Sequence, residues 1–180
     1  MQRRLQLIWA SLPKQLDCNT HKFRYNAVAP GLGIRELKAP MEWLVENGLI
    51  RQIPRVDLPE LPLEAHRDGA FKGYLLDVGL LTARLQLPMN SFLDTPRLFE
   101  RFHGTLAEQV VQQELAATLG EKPHYWSAPH GNAGADFLLQ TCGAVIPVDV
   151  AGIANPHAKK LAFFNEKFHP PVAVRISQGK

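Results

Sequence analysis

Cysteine is nearly absent. The 180 residues hold two, Cys18 and Cys142, far apart in the chain. That excludes a disulfide framework and fits a reducing, cytoplasmic setting. No apolar run approaches the ~20 residues of a membrane span, so no membrane partner is expected. The opening Met1-Gln-Arg-Arg has no apolar stretch behind it, which excludes a secretory signal. No G-x-x-x-x-G-K-[ST] occurs, so the chain has no phosphate-cradling P-loop of its own. The seven histidines show no H-x-x-x-H spacing and no cysteine at zinc spacing, which leaves them as loop or surface residues. There is no internal repeat and no low-complexity tract.

What is present suffices for a core. Hydrophobic residues make up 46% of the chain, and the length bounds it to one large domain or two small ones. Lys and Arg number 20 against 17 Asp and Glu, a net charge of +3. That balance permits a nucleic-acid partner without requiring one.

Leu5, Ile8, Trp9, Leu12 and Leu16 recur at spacings of three or four, which predicts an amphipathic helix over 2–17. Pro13 predicts a break near Leu12. His21 to Val28 alternates in its first half and reads as a short strand. Ile34 to Ala39 reads as one helical piece, with Pro40 opening a new helix that stops at Asn47-Gly48. Strands follow over Leu49 to Val56, interrupted by Pro54, and over Ala70 to Leu76. A proline-rich connection, Asp57 to Gly69, joins them. Asp77 to Leu87 starts on a capping residue and reads as a helix.

Helix, short helix, helix and hairpin is the order of a winged helix, which predicts such a domain over residues 1–87. In that fold the third helix enters the DNA major groove and the hairpin is the wing. The third helix here carries Glu42 and Glu46, and the cations lie around it at Arg35, Lys38, Arg51 and Arg55. Two readings stay open: contact with nucleic acid through these cations, or a packing and protein-contact module.

Residues 88–103 read as a linker. From 104 the pattern gives a helix (104–119), three strands (123–127, 134–140, 144–150), a helix (157–167) and a strand (171–176). The order is αβββαβ, an α+β core. Glu108 falls on the helix, Asp136 in the second strand and Asp149 in the third. If the strands form a hairpin, the carboxylates cluster, and a hard divalent cation such as Mg²⁺ takes oxygen ligands of this kind. Asp136 and Asp149 are the candidate metal ligands. The plainer alternatives are a solvated Glu108 near a helix start, Asp149 on the polar side of a strand, and Lys159-Lys160 as a solvated helix face. Tyr125 and Trp126 read as core.

The αβββαβ order, with its acidic residues so placed, resembles the PD-(D/E)XK nuclease-like, or restriction-endonuclease-like, fold. The whole chain is also similar to the C-terminal region of a family of prokaryotic AAA-type ATPases. There a winged helix and a nuclease-like domain of unassigned function follow an ATPase domain. The residues that carry this are Leu12-Pro-Lys-Gln-Leu16, Lys22-Phe23, Tyr25, Trp43-Leu44, Asn47-Gly-Leu-Ile50, Phe71-Lys72 and Leu76-Asp77-Val-Gly-Leu-Leu81. They continue in Gly104, Glu108, Glu114-Leu115, Tyr125-Trp126, Ala135-Asp136-Phe137 and Ile146-Pro-Val-Asp-Val150. The resemblance implies that Met1 is not the natural start and that ATP is bound only by a missing upstream domain.

It also implies roles. Glu108, Asp136 and Asp149 fall at the catalytic acidic positions. The lysine that positions or activates the attacking water in such nucleases is here Ala151, and the glutamate often found two residues before the Asp is here Gly134. Lys159 or Lys160 is the candidate substitute lysine. The expectation is therefore a non-catalytic module that binds DNA or RNA through Arg35, Lys38, Arg51, Arg55, Lys159 and Lys160, or that serves assembly. A Mg²⁺- or Mn²⁺-dependent nuclease and a module regulating the ATPase are the rivals.

Overall fold

A computed structural model describes residues 1–17, 21–87, 96–120, 122–128, 133–141, 143–151 and 159–177, with the backbone alone for 96–103. Helices α1 (Gln2–Leu16) and α2 (Ile34–Glu46) precede a hairpin of β1 (Ile50–Val56) and β2 (Arg67–Leu75). Then come α3 (Val78–Arg84), α4 (Pro96–Leu119), β3 (His124–Ser127), β4 (Gly134–Thr141), β5 (Ala144–Val150), α5 (Lys159–Phe168) and β6 (Val174–Ile176). Both cysteines, residues 88–95 of the expected linker 88–103, residues 129–132 of the expected turn and the expected start of the last helix lie outside the described residues, while 96–103, expected as linker, form the first turns of α4 and continue the helix expected from 104.

The protein is mixed α+β. The six strands among the described residues form one sheet in the order β2-β1-β3-β4-β5-β6. β1–β2, β3–β4 and β4–β5 are antiparallel, while β1–β3 and β5–β6 are parallel. The sheet therefore runs across the chain's midpoint: one parallel bridge, Arg55 to Tyr125, joins the first hairpin to the later strands.

Three further local expectations differ from the structure. α1 runs through Pro13. The proline deletes one backbone bond, but Ile8, Leu12 and Leu16 are all buried on one stripe, and the proline ring is buried with them. α2 likewise runs through Pro40 as one helix, with Leu37, Met41 and Leu44 buried on either side. The Glu36 carboxylate accepts from the Gly33 amide at 2.9 Å to cap it. His21 to Val28 forms no strand. Lys22 makes a single bridge to Lys72, and Tyr25–Ala27 is a 3₁₀ turn. The alternation there is spent on an aromatic cluster, where Phe23 stacks on Phe71 at 5.2 Å and meets Tyr25 edge-on.

Pro54 stays inside β1 for a reason of register. The Leu76 amide donates to the Leu49 carbonyl, and antiparallel pairs alternate between bonded and non-bonded. Arg51–Tyr74 and Ile53–Lys72 are then the bonded pairs. Ile50, Gln52 and Pro54 turn their backbone groups away from β2, where a missing N–H costs the hairpin nothing. The Phe71 carbonyl, opposite Pro54, is correspondingly free to accept from the Phe23 amide at 2.9 Å.

One large core spans both halves of the chain. Ile8, Leu12, Leu37 and Met41 from the first helices pack with Tyr74, Leu106, Phe137 and Val148. A smaller cluster on the other side gathers Val56, Trp126, Leu138 and Phe164. There α5 packs on β4 and β5, and Trp126 meets Phe164 and Phe168 edge-on.

Candidate functional site

α4 presents a polar stripe to the interior. Thr105, Glu108, Gln109 and Gln112 fall at helical spacings of three and four, and all four are buried. Their bonds tie the helix to the first half of the chain. Gln109 accepts from the Leu75 amide at 3.1 Å and donates to the Leu75 carbonyl at 2.8 Å. Thr105 donates to the Leu16 carbonyl at 3.3 Å, and Gln113 accepts from the Val78 amide at 3.1 Å.

Glu108 is the centre. Its Oε2 accepts from the Tyr74 hydroxyl at 2.6 Å and from the Lys72 ammonium at 3.1 Å, and His21 Nδ1 lies 3.0 Å away. Lys72 and Tyr74 are two apart on β2, so both project to the same side of the sheet. Lys72 Nζ also reaches Asp136 Oδ1 at 3.5 Å. The rings of Tyr125 and Phe137 lie 5.1 and 5.8 Å from it. The second Asp136 oxygen accepts from the Val150 amide at 2.9 Å. His21 sits at φ 50, in the left-handed region that side chains seldom adopt.

The electrostatics follow from burial and these contacts. Burial alone pushes the Glu108 carboxyl up. The Lys72 and His21 contacts and the Tyr74 bond outweigh it and hold the group well below the usual carboxylate range. Burial pushes the Lys72 ammonium down, but Glu108 and Asp136 overcome that and raise it. Burial and the neighbouring Glu108 charge raise Asp136, against Lys72. Burial and Glu108 raise the Tyr74 phenol well above its ordinary value.

A cavity of about 190 Å³ opens beside this group. Its wall includes His21, Lys22, Arg55, Lys72, Asp136 and Lys160. Of the residues singled out from sequence, Glu108, Asp136, Arg55 and Lys160 meet here. Asp149 does not line the cavity. It lies 3.6 Å from Arg175 on β6, and burial first of all raises its carboxyl. Arg55 is bound to Asp68 through Nε at 2.6 Å. Arg35 and Lys38 sit exposed on α2, with Lys38 3.8 Å from Glu42. Arg51 lines a separate groove with Arg67 and Lys122. Lys159 is exposed at the start of α5. Among the described residues no three His, Cys, Asp or Glu side chains come together as a metal site. Tyr125 and Trp126 are core residues, 2% and 3% exposed.

The model of a family described as Domain of unknown function (DUF8612) matches residues 2–91, half of the chain. The chain belongs to this family. The DUF8612 half supplies Lys72, Tyr74 and His21, and the other half supplies Glu108 and Asp136, so the ion cluster straddles the end of the matched region. No curated protein and no solved structure matches the chain. Among the described residues no helix is long and apolar enough to cross a membrane.

Lys72, Tyr74 and His21 were not read from the sequence as site residues. The signal was present for two of them. Phe71-Lys-Gly-Tyr74 alternates, and an aromatic Tyr74 on the core side carries Lys72 to the same side. His21 carried no comparable signal.

The pH dependence of stability follows from these directions. Lys72 and Tyr74 both have raised folded values. Their stabilisation is present below the unfolded values, near 10.4 and 10, and is lost as pH rises through the folded ones. Glu108 has a depressed folded value. Its stabilisation is present above the unfolded carboxylate range and lost on acidification, while the raised Asp136 and Asp149 act in the opposite sense. Urea midpoints are therefore expected to fall above about pH 10, and to fall again on the acid side, where Glu108 and the likewise depressed Glu36, Glu64 and Asp68 outnumber the raised Asp136 and Asp149. Tyr74→Phe should cost about 1.5–3 kcal/mol at pH 7 and less at pH 11. An equal cost at both pH values would contradict this assignment.

Proposed function

We propose that the chain is a non-catalytic binding and assembly segment of an AAA-type ATPase-family protein. In this reading residues 1–87 are a winged helix and 104–180 a degenerate nuclease-like domain. The order α1, 3₁₀ turn, α2, hairpin suits the first, and α4-β3-β4-β5-α5-β6 suits the second. The observation that carries the non-catalytic reading is the Lys72 ammonium between Glu108 and Asp136. A divalent cation needs carboxylate oxygens with free lone pairs. Glu108 Oε2 already has three partners, and Lys72 supplies from within the chain the positive charge that a metal would bring. Nucleic acid is the favoured ligand, through Arg35 and Lys38 on α2 and Lys159 and Lys160 on α5. Among the described residues Arg35, Lys159 and Lys160 have no carboxylate partner within ion-pair distance.

One observation favours a second reading. Lys72 stands beside two carboxylates in a cavity, which is where a nuclease lysine would be useful if Ala151 had been replaced from another strand. A Mn²⁺- or Mg²⁺-dependent nuclease would then use Glu108, Asp136 and Lys72.

One set of measurements separates them. Mn²⁺ is titrated calorimetrically into the wild type and Asp136→Ala, with plasmid nicking and DNA and RNA mobility shifts alongside. The expected result is no saturable Mn²⁺ binding, no nicking, and salt-sensitive retardation. Lys159→Ala/Lys160→Ala should reduce the salt slope by about one for each phosphate that is no longer neutralised. Nicking that disappears in Asp136→Ala would establish the nuclease. Unchanged mobility at low salt would remove the nucleic-acid reading and leave assembly.

A further inference from the structure

β1 has an open edge. Register turns the Ile50 and Gln52 amides and carbonyls away from β2, toward β3. β3 meets β1 at one bridge, Arg55 to Tyr125, and pairs with no earlier residue of it. Among the described residues nothing bonds the backbone of Ile50 or Gln52 on that side. Unpaired backbone groups of this kind are a template for another strand.

The edge lies in a groove. A cavity of about 570 Å³ runs along Ile50, Arg51, Gln52, Ile53 and Pro54, with Gly120, Lys122 and Pro123 opposite. That volume is in the range of ligand clefts, about 300–1,000 Å³. The edge from Ile50 to Pro54 spans roughly 13 Å at about 3.3 Å per residue, room for four residues of extended chain. Gln112, 1% exposed, lines the groove, and its Oε1 has no hydrogen-bond partner. Among the described residues that line it the charge is one-sided. Arg67 and Glu64 pair with each other, but Arg51 on one wall and Lys122 on the other have no carboxylate partner among the described residues.

We propose that this groove takes an extended, acidic peptide segment of a partner protein, added as a strand to the open edge of β1. Main-chain bonds to Ile50 and Gln52 supply the pairing, and Arg51 and Lys122 select carboxylate side chains. This mode gives affinity through the backbone and specificity through alternate side chains. It uses a different surface from the Lys72 cavity and does not depend on the nucleic-acid reading.

The probes are the capped hexapeptide Glu-Val-Glu-Val-Glu-Val, its lysine counterpart, and the glutamate peptide N-methylated at alternate residues. Binding is read by fluorescence anisotropy, and its place by amide hydrogen exchange. The glutamate peptide is expected to bind saturably and to protect Ile50 and Gln52 from exchange. The N-methylated peptide should lose at least tenfold in affinity, as should Arg51→Glu with the parent peptide. Gln52→Pro removes one edge donor while leaving the β1–β2 ladder bonds, and should act likewise if it folds. The N-methylated peptide gives the same information on unaltered protein. Equal binding of the lysine peptide would overturn the proposal, as would protection confined to Val174 and Ile176 on β6. A single-stranded oligonucleotide that displaces the peptide and protects the same amides would assign the groove to nucleic acid instead.

Discussion

Lys72→Met is expected to destabilise the protein by about 3–5 kcal/mol, the cost of leaving a buried charge without its partner. The ammonium is the only cation whose Nζ reaches both Glu108 and Asp136 among the described residues, and its side chain is 6% exposed. Methionine keeps the length and loses the charge, so the loss is not a cavity effect. Two carboxylates then face each other with His21, the Tyr74 hydroxyl and the Val150 amide as their remaining help. By contrast, Lys38–Glu42 is an exposed pair at 3.8 Å, and removing Lys38 should cost less than about 0.5 kcal/mol. The decisive comparison is the triple variant Lys72→Met/Glu108→Gln/Asp136→Asn. With the charges gone together, most of the stability should return, because an uncharged cluster has little desolvation left to offset. Urea unfolding at pH 7, with an unchanged slope, measures both. A loss below about 1 kcal/mol in the single variant would mean that packing, the Gln109 bonds and the Tyr74 bond hold β2 to α4 without the Lys72 charge.

That cluster also marks where sequence reading stops. Periodicity located α1, α2, β1, β2 and the elements from α4 to β5, apart from the first turns of α4 over 96–103, because each buries a stripe or a face of its own; β6 was located by its alternation although Val174 and Ile176 are exposed. Asn47-Gly48 ended α2, and Gly48 adopts φ 71 there. Asp77 capped α3, accepting from the Leu80 amide at 2.7 Å. Prolines misled twice, at Pro13 and Pro40, because buried neighbours on both sides outweigh one missing bond. The bridge from Arg55 to Tyr125 joins residues seventy apart, and no local pattern encodes a parallel pairing of that separation. Glu108 and Asp136 were legible as acidic residues on a helix and in the second of three strands that could bring them together. Their partner was not, since it comes from a strand read as part of a different unit.

Gly134→Glu, alone or with Ala151→Lys, completes the pattern that the proposed nuclease likeness calls for and is expected to damage the fold rather than create a site. A Cβ on Gly134 would stand 2.7 Å from the Trp126 carbonyl oxygen and 3.4 Å from the Ser127 Cα. Both are backbone atoms, so no rotamer relieves the contact. β3 and β4 are paired there, Ser127 against Gly134, and must separate to admit any side chain. Overpacking of this kind costs about 1–3 kcal/mol, occasionally more. A carboxylate two residues from Asp136 adds charge to a place that holds one lysine for two acids. Ala151→Lys alone is milder. Ala151 is half-buried, and its amide already donates to the Ile176 carbonyl at 2.8 Å, a bond that a new side chain does not break. It should leave stability within about 0.5 kcal/mol and yield no plasmid nicking with Mn²⁺, because Asp149 is engaged by Arg175 and Glu108 by Lys72. If the double variant folds with an unchanged urea midpoint and nicks DNA, Gly134 is not a packing requirement and the proposed nuclease likeness gains its test. If Gly134→Ala is destabilised as well, the backbone contact is the cause and the missing glutamate has a structural explanation.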